Sequence, residues 1–97
     1  MDEEIYKDLP GWNLFHRGLS DIRNSKVSEE ALLVLIARPR LQALGIDIPD
    51  LAGLPRPREH LLFSLIEETH PDGAHSYYNS IIRRIVSFAR AYAANLE

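Results

Sequence analysis

The tripeptide Arg-Pro-Arg occurs twice, as Arg38-Pro39-Arg40 and as Arg56-Pro57-Arg58, each time where a helix is expected to open. Proline suits the first helical position, where its missing N–H would have had no intrahelical acceptor. Arginine there opposes the helix dipole, a local conflict of roughly 0.3–1 kcal/mol per residue at a surface. Free backbone N–H groups beside planar guanidinium forks form a corner suited to an anion: a phosphate, an acidic peptide or a nucleic-acid backbone. A purely structural alternative has Arg38 closing the preceding helix, with Arg40 and Arg58 paired to Asp47 or Glu59. What separates the two is whether Arg38, Arg40, Arg56 and Arg58 converge in space.

A second concentration of reactive groups is Glu67, Glu68, His70, Asp72 and His75, with His60 upstream. Glu67 and His70 have the i, i+3 spacing of carboxylate-bridged di-iron helices, but that site needs a second copy and further glutamates. His70 and His75 span a Pro-Gly turn and fall short of the ligand count of a zinc site. Glu67, His70 and His75 are therefore weak metal candidates, His70 reads as a helix C-terminal cap, and no metal or cofactor is expected. None of the serines lies in a nucleophile elbow. The five glycines are scattered singly, so no phosphate-cradling loop is present. Catalysis is not the expected function. Arg83, Arg84 and Arg90, near Tyr77, resemble a basic-aromatic nucleic-acid surface, but without lysine support they read as a solvated face.

Composition narrows the classes further. The 97 residues form one domain, and 45% hydrophobic with 26% charged content argues against a disordered chain. Zero cysteines exclude disulfides, thiol catalysis and cysteine-held metals. The net charge of -3 disfavours bulk nucleic-acid binding. It is also uneven: Asp2, Glu3, Glu4 and Asp8 outweigh Lys7, leaving ten acids and ten bases beyond residue 8. Nine of the eleven bases are Arg, whose fork pairs bidentately with carboxylates and phosphates. The acidic N-terminus is the reverse of a signal peptide, and the longest apolar run, Ala31–Ala37, is too short to span a membrane. A cytoplasmic protein is expected.

The elements that must position these groups are helical throughout. Residues 1–9 read as an acidic arm or short helix, 10–95 as a single helical domain, and Leu96-Glu97 as a cloning scar. Trp12, Phe15, Leu19 and Ile22 form one stripe at helical spacing, with Gly18 marking a close crossing. Ser28 caps a second helix, with Glu29 and Glu30 at its positive end and Val27 poised to staple onto Leu32. Ala31–Ala37 is apolar on every side, so that helix is central. It is expected to end at Arg38, with a short third helix from Pro39 to Leu44 closed by Gly45. A proline-rich loop over about 46–57 follows, pinned by Ile46, Ile48, Leu51 and Leu54. A fourth helix runs from Pro57 to about Thr69, and a fifth, the longest, from Ala74 to about Asn95.

The apolar arc of that last helix covers about half its circumference, against the ~100° that one neighbouring layer requires. Either it lies in the middle of the bundle or one flank, carrying Tyr77, Ile81, Arg84 and Phe88, meets another protein. The expected fold is all-α, a compact bundle of about five helices. The expected function is a small non-catalytic protein-interaction or regulatory module, self-associating as a homodimer through the last helix. The alternative is nucleic-acid or phosphate-ligand binding at the Arg-Pro-Arg segments. No resemblance to a known family is carried by any motif.

Overall fold

Where a helix may begin is set by who satisfies its first N–H groups. The computed structural model describes residues 7–55 and 57–95, and in it four helices and no strand occur: α1 Trp12–Arg23, α2 Glu29–Ala43, α3 Arg58–Thr69 and α4 Ala74–Ala94. Residues 1–6 of the arm expected over 1–9, Arg56 and Leu96-Glu97 lie outside the described residues; residues 7–9 are non-helical. Among those described, no helix is long and apolar enough to cross a membrane.

Helix α2 begins as its sequence dictates. The Ser28 hydroxyl accepts from the Ala31 amide at 3.0 Å and donates to the Asp21 carboxylate at 2.7 Å, tying the α2 cap to the last turns of α1. Val27 does not bury as a staple; it is the exposed large hydrophobic among the described residues. Replacing Ser28 by alanine leaves the Ala31 amide without its cap and removes a partner of Asp21. A stability loss of about 1 kcal/mol is expected, read as a lower urea midpoint at unchanged m-value.

Beyond the cap, Ala31 to Val34 are fully buried and α2 contacts all three other helices, so it is the central element the apolar run implied. Its end differs from expectation. No break occurs at Arg38-Pro39-Arg40: Pro39 sits inside α2, and the two helices expected there are one. Proline in a helix interior removes one hydrogen bond and costs about 3 kcal/mol. Here burial of Leu35 and Leu41 on either side holds the helical path, and Pro39 falls near the end, where few later bonds are at stake. The stop comes at Gly45, in the left-handed region (φ 92°). The Gly45 amide donates to Gln42 and that of Ile46 to Leu41, a Schellman closure that turns buried Ile46 onto buried Leu41. From there the chain is non-helical to α3, anchored by Ile46, Ile48 and Leu51.

The last helix also needs correction. Ile81 and Phe88, expected on a partner-facing flank, are 3% and 0% exposed. Helix α4 contacts α1, α2 and α3, which accounts for its wide apolar arc. The start of α1 lies directly on it: a Cβ on Gly11 would collide with the Arg84 carbonyl and touch the Phe88 Cβ. Phe88 stacks on Phe15 with centroids 4.5 Å apart and is flanked by Trp12 and Tyr92 at 6.1 and 6.0 Å. Tyr77 is half-buried and stacked on His70 at 4.1 Å; Arg84 alone of the four is exposed.

Candidate anion-binding cavity

Two of the three described arginines from the Arg-Pro-Arg segments converge. Arg38, from the last turns of α2, and Arg58, the first residue of α3, line one cavity of about 500 Å³. Leu35, Ile36, Pro39 and Pro57 supply its apolar walls, Asp50 and Glu59 its carboxylates. Arg40 does not join them. It edges a second groove, about 210 Å³, formed by Ile36 and Ala37 of α2 against Ile82, Ile85 and Val86 of α4. Arg56 lies outside the described residues.

The loop between α2 and α3 sets the geometry. Arg38 donates its Nε to the Ile48 carbonyl at 2.8 Å, with Gln42 Nε2 reaching the same oxygen at 3.4 Å. This spends one of five guanidinium donors; both terminal nitrogens of half-buried Arg38 have no acceptor among the described residues. Arg58 is buried, at 8% exposure. Its Nη1 donates to Asp50 Oδ1 at 3.1 Å and its Nη2 to the Leu51 carbonyl at 3.3 Å, while its Nε is buried without an acceptor. Pro57, the N-cap of α3, offers no side-chain cap; the His60 amide donates to the Pro57 carbonyl at 3.2 Å, and the Arg58 and Glu59 amides stay available beside the cavity. Pro39 leaves the Leu35 carbonyl, on the opposite wall, without its helical donor.

Asp50 is the pivot. Desolvation pushes its carboxyl toward protonation, but the Arg58 hydrogen bond, the Leu51 amide and the charges of Arg58 and Arg38 outweigh that and hold its pKa below the ordinary value. A carboxyl more acidic in the folded than the unfolded chain adds stability that is complete above the unfolded value, about 3.9, and disappears as pH falls through the folded one. Asp50→Asn is therefore expected to lower the melting temperature at pH 7 and to flatten its decline on acidification below about pH 4. Melts of both proteins at neutral and acid pH check this.

Compared with known proteins, the chain matches no family model, no curated protein and no solved structure. The site stands on its geometry.

The remaining candidates are not gathered into a site. Glu67 and His75 share a shallow cavity of about 300 Å³ with Asp72 at the start of α4, while His75 packs on the Phe63 ring at 4.7 Å. His70 is the C-cap of α3, its ring stacked on Tyr77 and its Nδ1 2.8 Å from the Thr69 hydroxyl. Among the described residues, no group of three or more His, Asp or Glu could hold a metal. Burial pushes the hydroxyls of Tyr77 and Tyr78 upward, helped at Tyr77 by Glu29 and Glu30.

Sequence reasoning missed Asp50 as the partner of Arg58. Spacing points to Asp47 and Glu59, whereas Asp50 is brought in by the fold of the loop. The available signal was Asp50-Leu51 itself: the Asp50 side chain accepts from the Leu51 amide at 2.8 Å, orienting the carboxylate.

Proposed function

We propose that this chain is a small non-catalytic interaction module that engages an anionic group of a partner protein in the cavity between α2 and α3. The observation that carries the reading is the convergence of Arg38 and Arg58, with both terminal nitrogens of Arg38 and the Nε of Arg58 left without acceptors among the described residues. An oxyanion in the cavity would supply the terminal nitrogens of half-buried Arg38 with acceptors. The polar side chains lining the cavity are arginines and carboxylates, with no hydroxyl, thiol or imidazole among the described residues. Such a set is suited to binding charge. The test is a ¹H–¹⁵N NMR titration at low ionic strength with acetate, succinate and inorganic phosphate. Localised shifts at Arg58, Glu59 and the Arg38 Nε–H are expected, weakening with salt. Shifts with none of these anions, or shifts spread over the surface, overturn it.

Self-association through α4 is the second reading, and its support lies on a different flank from the one expected. Half-buried Ile82 and Val86 face Ile36 and Ala37 across the groove edged by Arg40. If that groove joins two copies, Val86→Lys separates a dimer without unfolding it; a wild-type protein sedimenting as a monomer at high concentration excludes it.

A further inference from the structure

Resting on the anion-binding reading of the cavity, we infer the class of anion: a monocarboxylate carried beside an aliphatic group, as at a peptide C-terminus ending in an apolar residue. Charge decides against a dianion. Of the four described charges lining the cavity, Arg58 and Asp50 are already paired at 3.1 Å. That leaves the Arg38 guanidinium to neutralise a ligand, with Glu59 at the opening to repel one. Among the described residues one unpaired guanidinium balances one negative charge, whereas a phosphate monoester brings nearly two.

The walls decide what the carboxylate is attached to. Leu35, Ile36, Pro39 and Pro57 surround the charged corner, and about 500 Å³ exceeds what a carboxylate alone would fill. An aliphatic side chain on the carbon bearing the carboxylate covers those walls while the carboxylate oxygens reach the Arg38 terminal nitrogens and the Arg58 and Glu59 amides. The carboxylate of a mid-chain Asp or Glu would bring the flanking polar backbone against the same apolar surface. A peptide C-terminus and a free aliphatic acid share the favoured chemistry, and the experiment separates them.

Four probes are titrated into ¹⁵N-labelled protein at low salt: N-acetyl-leucine, N-acetyl-leucinamide, 4-methylpentanoate and inorganic phosphate. N-acetyl-leucine is expected to shift the amides of Ile36, Arg58 and Glu59 more strongly than phosphate does, and the amide analogue not to shift them. 4-Methylpentanoate binding weaker than N-acetyl-leucine assigns the peptide terminus; binding as tight assigns the free acid, and either supports the class. Arg38→Met is expected to weaken N-acetyl-leucine at least about tenfold. Because Arg38 also holds the Ile48 carbonyl, Glu59→Gln, at an exposed position, provides an independent arm, tightening the same ligand several-fold. Phosphate shifting these amides as strongly as N-acetyl-leucine overturns the carboxylate class and leaves the anion site standing. Equal binding of the uncharged amide, or no shift with any probe, overturns the anion site as well.

Discussion

Replacing Phe88 by alanine is expected to remove about 3–5 kcal/mol of stability, a large share of the roughly 5–15 kcal/mol typical of a domain. The ring is completely buried, stacked on Phe15 and touching Trp12 and Tyr92, so its loss opens a cavity where α1 meets α4. None of these neighbours can refill the space without leaving its own position, and interiors packed at crystal density relax only in part. At roughly 4–8 °C per kcal/mol for a domain of this size, the midpoint falls by at least about 12 °C. The near-ultraviolet signal of Trp12 should weaken with it. If Phe88 instead served a dimer contact, the loss would depend on protein concentration. Thermal melts over a hundredfold dilution series, giving the same destabilisation throughout, are the expected result.

The second large effect comes from adding a single methyl group. Gly18 lies in the middle of α1, where alanine is the better helix former by about 1 kcal/mol. Propensity alone predicts that Gly18→Ala stabilises the protein. The fold predicts the reverse. A Cβ at position 18 would run into the Glu30 carbonyl oxygen and sit 2.5 Å from Val34 Cγ2. The first of these is backbone of α2 and has no rotamer to change. Helices α1 and α2 must separate, pulling the Ser28–Asp21 bond and the buried face of Leu32–Val34 with them. Overpacking of this kind costs about 1–3 kcal/mol or more, which outweighs the propensity gain. Gly18→Ala is expected to be destabilised in urea, and Gly18→Ser no better; an alanine variant more stable than wild type would show that the two helices are not held at this distance.

Some of this is written locally in the chain and some is not. The stripe Trp12, Phe15, Leu19 and Ile22 is buried as its spacing implies, because a 3.6-residue period is a property of the chain alone. Ser28 capping Ala31, Gly45 closing α2 and Gly18 at a close crossing are likewise local, each decided by one residue's hydrogen bonding or missing Cβ. Pro39 goes the other way. Its chemistry argues for a break, and only the burial of Leu35 and Leu41 by elements distant in sequence keeps the helix running. The same holds for Ile81 and Phe88. A wide apolar arc is legible in the sequence, but not whether α1 or another protein covers it, since that depends on three-dimensional packing.

The two Arg-Pro-Arg segments divide in the same way. Sequence alone marked Arg38, Arg40, Arg56 and Arg58 as candidates for an anion, from the chemistry of the guanidinium fork. Only the tertiary structure decided that Arg38 and Arg58 share a cavity while Arg40 lines the α2–α4 groove. The reason is the loop between α2 and α3: its path is set by burying Ile46, Ile48 and Leu51, and that path carries the Ile48 carbonyl to Arg38 and Asp50 to Arg58. Side-chain chemistry is written residue by residue, whereas convergence follows from where the apolar anchors of an irregular segment find room in the core.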